Sequence, residues 1–258
     1  MKATLITGAS SGIGDAFARR LASEKHDLVL VARSEKVLHE ICDELMLKHE
    51  ITAHYIVADL TDADAPTKVF AETETHGFEI DWLINNAGFG SMGDFAELPL
   101  EKELMMIDLN IRSLVALTHL YLQGMRSRRR GKIVNVSSAA GFQPVPYMAA
   151  YAATKAFVTS FSEAIAEENR EFGIQVLALC PGSTKTNFFA ASEIDRPFEL
   201  KGQQTAEDVV ETAMRAISNG RTKVISGFVN SVVATAAKVM PTMVSRKVAS
   251  KMLRSRLK

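Results

Sequence analysis

Tyr151 and Lys155 stand four residues apart in the run AYAATKAF, residues 150–157. On a helix that spacing stacks both side chains on one face. Their neighbours Ala150, Ala152, Ala153, Thr154 and Ala156 are small, so a phenol and an ammonium could meet one ligand with little bulk between them. A free phenol titrates near pH 10, too high for easy proton exchange at neutral pH. A nearby positive charge favours the phenolate, and each pKa unit removed corresponds to about 1.4 kcal/mol. Lowering the value toward the working pH suits a general acid or base. Asn110, in LNIRS, is a polar group set in a helical stretch. It could interrupt the local helix ladder and hold a water that passes protons to Lys155.

A second run, TGASSGIG at 7–14, has the spacing Gly-x3-Gly-x-Gly between a strand pattern and a helix pattern. Gly8 suits a tight turn, Gly12 a close backbone approach to a pyrophosphate, and Gly14 close helix–strand packing. The helix N-terminus adds free N–H groups and partial positive charge for phosphate, with Ser10 and Ser11 as hydroxyl donors. Further along, Arg33 and Ser34 follow the apolar run DLVLVA where a carboxylate for a ribose 2′-hydroxyl would otherwise stand. A guanidinium there suits a 2′-phosphate, so the sequence favours NADP(H) over NAD. Asp59 either bonds an adenine amino group or caps the next turn. In NNAG, 85–88, Asn85 and Asn86 can pair with neighbouring backbone, while Ala87 and Gly88 keep a flat floor.

These residues fall between alternating strand and helix patterns. Strands are expected at 3–7, 27–32, 54–60, 81–88, 131–138 and 174–182, with helices at 12–25, 35–49, 64–76, 100–127 and 149–172. Such alternation predicts an α/β fold, a single-domain doubly wound parallel sheet (Rossmann fold) over residues 1–258 with helices on both faces. Right-handed crossovers gather the strand C-terminal ends along one edge. Gly8, Arg33, Asp59, Asn86, Ser138 and Pro181 all sit at those ends, where ligands bind in such sheets.

The 258 residues are 47% hydrophobic and 23% charged with zero formal net charge, so no global pull toward nucleic acid is implied. Residues 212–258 hold ten Lys or Arg and no acid, which leaves residues 1–211 at minus ten. Cys42 and Cys180 lack metal-ligand spacing and read as buried apolar residues in a reducing compartment. No secretory or membrane-spanning pattern is found, and the expectation is a cytoplasmic protein without a metal.

TGASSGIG, NNAG, Asn110, Ser138, YAATK at 151–155 and PG at 181–182 together resemble the classical short-chain dehydrogenase/reductase family, over nearly all of residues 3–190. Arg33 makes the chain similar to its NADP-preferring members. The resemblance implies Tyr151 as general acid in carbonyl reduction and base in alcohol oxidation, with Lys155, Ser138 and Asn110 beside it. Strand alternation puts only one of Ser137 and Ser138 on the cofactor side, and the family spacing selects Ser138, whose hydroxyl would donate to the substrate oxygen. The implied cofactor set is Gly8, Ser10, Ser11, Gly12, Ile13, Gly14, Arg33, Ser34, Asp59, Leu60, Asn86, Ala87, Gly88, Tyr151, Lys155, Pro181, Gly182, Thr184 and Thr186. The substrate is a ketone or aldehyde, or the matching alcohol, and dimers or tetramers would form through the helices near 100–127 and 149–172.

Residues 187–202 read as a lid. Phe188, Phe189 and Phe198 could wall an apolar pocket with Phe89, Phe142, Tyr147 and Met148. After Pro241 the basic segment 238–258 reads as a short amphipathic helix with Met243, Val244, Val248, Met252 and Leu253 near one face. It either packs on its own subunit or a partner, or touches anionic lipid. Two other functions fit the fold. A 3-oxoacyl-thioester reductase needs a basic pocket, for which only Arg126–Arg130 offers itself. A non-catalytic NADP-binding regulator would have a broken Ser–Tyr–Lys set, and here it is intact.

Overall fold

The structure is a computed structural model that describes residues 1–186, 203–227, 230–232 and 242–254. Seven parallel strands form one sheet in the order β3-β2-β1-β4-β5-β6-β7. They are β1 Lys2–Thr7, β2 Leu28–Ala32, β3 Ala53–Val57, β4 Glu79–Asn85, β5 Gly131–Val136, β6 Ile174–Cys180 and β7 Lys223–Ile225. Between them run α1 Gly12–Ser23, α2 Glu35–His49, α3 Ala65–Thr75, α4 Leu100–Ile107, α5 Leu114–Arg128, α6 Ala149–Glu168 and α7 Ala206–Ser218. Helix α8 Thr242–Arg254 comes last.

Side-chain alternation sorts the core into two layers. Ile6, Leu30, Ile84, Val134 and Leu177 face α1, α2 and α7. Their strand neighbours Leu5, Val29, Leu83, Ile133 and Val176 face α3, α5 and α6. Every residue of β2 is buried, as expected where helices cover both faces. The strand order reverses between β1 and β4, which opens a crevice at the C-terminal edge. Cys42 and Cys180 are free and buried, and burial raises both thiols to about 11.

The long helix expected at 100–127 is interrupted. A π-helical turn, Asp108–Ser113, separates α4 from α5 and carries Asn110. Helix α6 stops at Glu168, four residues before the expected end, and a 3-10 turn leads to Gly173 at φ 71°. Helix α7 and strand β7 have no counterpart among the expected elements. A capping box marks the start of α7: Thr205 Oγ1 accepts from Asp208 N, and Asp208 Oδ2 accepts from Thr205 N, each at 3.1 Å.

One buried polar network fixes the height of α6 against the strand tips. Asn85 Nδ2 donates to Thr118 Oγ1 at 3.0 Å and to Asn135 Oδ1 at 2.9 Å, so its partners are side chains and not the expected backbone. Asn135 Nδ2 donates to Ser162 Oγ on α6 at 2.9 Å. The chain β4–α5–β5–α6 is thereby tied together through Asn135, which is 0% exposed. Asn135→Ala leaves Ser162 and Asn85 without these partners. Unfolding in urea is expected to show a loss of about 1–3 kcal/mol.

Candidate active site

Tyr151 and Lys155 lie one turn apart on α6 and are 7% and 4% exposed. The turn Ala139–Phe142 docks backbone to backbone on this helix: a Cβ on Gly141 would lie 2.7 Å from the Lys155 carbonyl carbon. That contact requires glycine and brings Ser138 to the phenol. Ser138 is extended, accepts from Ala140 N at 3.1 Å and is hydrogen-bonded to the Tyr151 hydroxyl. Ser137 faces the other way, donating to Lys155 O at 2.7 Å with Thr159 Oγ1 at the same distance. Of the two serines, Ser138 is the one on the crevice side.

The Lys155 ammonium donates to Val136 O at 2.9 Å and lies 5.8 Å from the Tyr151 ring centroid. Contrary to the lowering expected from Lys155, burial pushes the Tyr151 phenol up to about 12, with the Ser138 bond pulling weakly the other way. Burial also brings the Lys155 ammonium down to about 8. At neutral pH the pair is a neutral phenol beside a charged ammonium, the protonation state of a proton donor. Asn110, in the π-turn that interrupts the helix ladder, is held by direct contacts. Its Nδ2 donates to Phe89 O at 3.0 Å and Thr154 Oγ1 at 3.1 Å, and its Oδ1 accepts from Phe89 N at 3.2 Å. The side chain clamps the loop after β4 onto α6.

The glycine loop has the geometry its spacing predicts. Gly8 and Gly12 lie at φ 63° and 59°, where other residues are strained. A Cβ on Gly14 would stand 2.3 Å from Gly8 O. Ser11 caps α1 in extended conformation without a side-chain bond to the helix, which leaves its hydroxyl for a phosphate beside the first-turn N–H groups. Ile13 packs partly on the core. Thr7, absent from the expected set, joins the two halves of the crevice. Its Oγ1 accepts from Asn86 N at 2.9 Å and Ala87 N at 3.0 Å, while Asn86 Nδ2 donates to Thr7 O at 2.9 Å and Gly8 O at 3.2 Å. Gly88 faces Asn110 and Lys155; a Cβ there would lie 3.4 Å from Lys155 Nζ.

Arg33 is exposed at the end of β2, 3.7 Å from Asp59 Oδ2. Asp59 Oδ1 accepts from Thr61 N and Oγ1 at 3.0 and 2.8 Å, so Asp59 caps its turn. Burial alone would raise its carboxyl, but the Thr61 donors and Arg33 outweigh that and hold it low. Ser34 caps α2 without a side-chain bond to it, and Leu60 is a core residue. After β6, Thr186 stands beside the glycine loop, 3.1 Å from where a Gly12 Cβ would be. Thr184 Oγ1 donates to Gly182 O at 3.1 Å, and Thr184 pairs with Gln204. Gly182 follows Pro181 and packs on Asn230, which would stand 2.0 Å from a Cβ there. The sequence gives no pattern that singles out Asn230 or Gln204.

On the substrate side, Met106, Met148 and Leu253 cluster with Tyr151, flanked by Phe89, Met92 and Tyr147. Leu253 belongs to α8, so the basic C-terminal helix covers the site and packs on its own chain. Met243, expected on the same apolar face, is 61% exposed. Phe142 is half-buried outside that cluster, while Phe188, Phe189, Phe198 and the expected lid lie outside the described residues. The Arg126–Arg130 cluster is engaged at the opposite end of the sheet. Arg126 donates to Asn169 Oδ1, Arg128 to Ile80 O, Arg129 to Glu171 O and Arg130 to Asp81 and Glu79.

The cradle suits a nicotinamide dinucleotide: two left-handed glycines, a third without room for a Cβ, and an uncapped helix end. The chain belongs to the short-chain dehydrogenase family, whose model matches residues 2–197. It is 32% identical to the very-long-chain 3-oxoacyl-CoA reductase of Mus musculus over 98% of this chain and 80% of that one. It is also 32% identical to the 7beta-hydroxysteroid dehydrogenase of Mediterraneibacter gnavus, over 86% and 85%. Among solved structures, a short-chain dehydrogenase from Sphingobium yanoikuyae in complex with NADPH is similar at TM-score 0.82 and 33% identity, covering 87% of each chain. The protein is an oxidoreductase that interconverts carbonyl and alcohol groups with a nicotinamide cofactor.

Two outcomes are expected. Gly14→Ala forces α1 away from Gly8 and should destabilise by about 1–3 kcal/mol in urea while weakening dinucleotide binding. Lys155 titrates at about 8 when folded against 10.5 in its ordinary state. Between those values the unfolded chain holds the extra proton, so this group makes stability rise with pH. Thermal melts of cofactor-free protein should show wild type gaining on Lys155→Met from pH 8 to 10.

Proposed function

We propose that the chain is an NADP(H)-dependent carbonyl reductase over residues 1–258, with Tyr151 as the acid. The observation that carries this reading is the buried phenol, bonded to Ser138 and one turn from a charged ammonium, at the sheet edge that holds the glycine cradle. A bound nicotinamide supplies the hydride. Tyr151 Oη gives its proton to the carbonyl oxygen as charge develops there, and takes it back in alcohol oxidation. Ser138 Oγ donates to the same oxygen. Lys155, with one N–H on Val136 O, turns its remaining donors to ribose hydroxyls. Asn110 positions Lys155's surroundings through Phe89 and Thr154.

Gly8, Ser10, Ser11, Gly12, Ile13 and Gly14 cradle the pyrophosphate. Arg33 and Ser34 meet the 2′-phosphate, with Asp59 and Leu60 flanking the adenine. Asn86, Ala87 and Gly88 floor the nicotinamide side, and Pro181, Gly182, Thr184 and Thr186 face its carboxamide. The exposed guanidinium of Arg33 supports NADP(H), as does the NADPH held by the similar Sphingobium enzyme. Residues 187–202 are assigned as the lid. A cytoplasmic homodimer or homotetramer is the assembly, supported by exposed Leu104 and Ile107 on α4 and Phe157 on α6. No described helix is long and apolar enough to cross a membrane.

A more specific substrate, a 3-oxoacyl thioester, draws support from the relatives named as 3-oxoacyl-CoA reductases. NADPH oxidation across ketones, ketosteroids and 3-oxoacyl thioesters tests both. Tyr151→Phe is expected to lower kcat about 10²–10⁴-fold with NADPH binding intact; undiminished turnover would remove the phenol from the chemistry. Arg33→Asp should cut NADPH affinity by roughly 10–100-fold and shift preference to NADH, the loss of one charge-assisted contact.

A further inference from the structure

Strand β3 is an edge of the sheet, and His54 is its second residue. His54 pairs in register with Val29, which packs in the α3 layer, so its imidazole lies on the α3 face. Two residues of α3 and its C-terminal cap meet it there: Glu72 and His76 stand four apart, one helical turn. His54 Nε2 lies 3.3 Å from Glu72 Oε1, and the His54 and His76 ring centroids are 4.4 Å apart. One ligand atom from each of the three lies within 4.8 Å of the other two. Among the described residues no other group of three His, Cys, Asp or Glu side chains is so placed. The cluster sits toward the N-terminal ends of the strands, away from the crevice and its chemistry.

Two imidazoles and a carboxylate suit a divalent metal of borderline softness, Zn²⁺ above all. With bonds of about 2.0–2.1 Å, tetrahedral ligand atoms lie about 3.3–3.4 Å apart. His54 and Glu72 already have that separation. His76, the exposed member, has to swing in by no more than about 1.5 Å to match it. Its Nδ1 donates to Glu72 O at 2.9 Å, since a carbonyl only accepts. That bond fixes the tautomer and leaves Nε2 the lone pair a metal needs, as outer partners of metal-binding histidines do. Metal would replace the hydrogen that His54 Nε2 gives to Glu72, and the proton leaves to Nδ1 or to solvent. The last turn of α3 holds no basic residue, and its terminal carbonyls carry partial negative charge that favours a cation. Phe78, 6% exposed, closes the inner side with its ring 5.7 Å from His54 and 6.3 Å from His76. We propose that His54, Glu72 and His76 form a zinc site that clips edge strand β3 to the end of α3, its fourth position left to water. His54 and Glu72 are 18 residues apart in sequence, with no short motif between them, which is why the sequence reads as free of metal.

Tag-free protein, stripped with a chelator and dialysed, is titrated calorimetrically with Zn²⁺ alone. Wild type is expected to take up one equivalent per chain. His54→Ala, Glu72→Gln and His76→Ala should each bind roughly tenfold to hundredfold more weakly. His39→Ala, which removes the i,i+4 pair with Asp43 on α2, should bind as wild type does. Thermal melts read the same clip. At a Zn²⁺ concentration a hundredfold above its Kd, wild type should melt about 5–10 °C higher than without metal, and His76→Ala should not shift. Because His76 is exposed, metal-free His76→Ala should melt close to wild type, which separates lost ligation from lost folding. Absent uptake, uptake unchanged in the three variants, uptake lost in His39→Ala, or a wild-type melt that ignores Zn²⁺ overturns the site. Uptake that survives His76→Ala undiminished overturns it too and leaves His54 and Glu72 as an ordinary ion pair. Neither dinucleotide nor carbonyl substrate enters these measurements, so their outcome is separate from that of the reductase reading.

Discussion

Two ionisable side chains on one face of α6 are kept away from water, and most of the surrounding structure keeps them so. Burial is the largest influence on both: it pushes the Tyr151 phenol above its ordinary value and makes the Lys155 ammonium easier to neutralise. Each has one fixed partner at the tip of β5, Ser138 for the phenol and Val136 O for the ammonium. A shift of α6 along the sheet would break both. The Asn85–Asn135–Ser162 network, the Gly141 contact and the Asn110 clamp each tie α6 to a different neighbour.

The same constraint explains why the two functional halves meet. The glycine loop follows β1, the floor residues follow β4, and these strands are neighbours at the point where strand order reverses. Thr7 and Asn86 exchange hydrogen bonds across that seam, so the cradle and the floor move as one body. The π-helical turn around Asn110 belongs to this arrangement. An unbroken helix would carry Asn110 in a different direction, and the side chain would no longer reach both Phe89 and Thr154. π-turns of this kind are frequent at functional sites.

Much of this was legible in the sequence because the signals are local. Glycines at fixed offsets, strand alternation at Ser137–Ser138 and the one-turn spacing of Tyr151 and Lys155 each depend on few residues. The direction of the phenol's shift was not legible, because it depends on how deeply α6 is covered, and α8 is part of that cover. Nor were the partners of Arg126–Arg130, which lie 42 or more residues away in sequence. The α7 start could have been read from TAED at 205–208, a capping box before an apolar-periodic run. Strand β7 is three residues long, too short to carry a pattern. That α8 turns Leu253 inward and Met243 outward is set by packing against Met106 and Met148, which helical periodicity alone does not reveal.

The central claim is that burial holds the Tyr151 phenol above its ordinary value until a positive ligand arrives. An ultraviolet difference titration of wild type against Tyr151→Phe isolates this one phenol. Without dinucleotide its ionisation should lie well above the ordinary 10, toward about 12; with NADP⁺ bound, the added positive charge should bring it down. A phenol that ionises near or below 10 in the free protein, or whose ionisation ignores NADP⁺, would contradict the account.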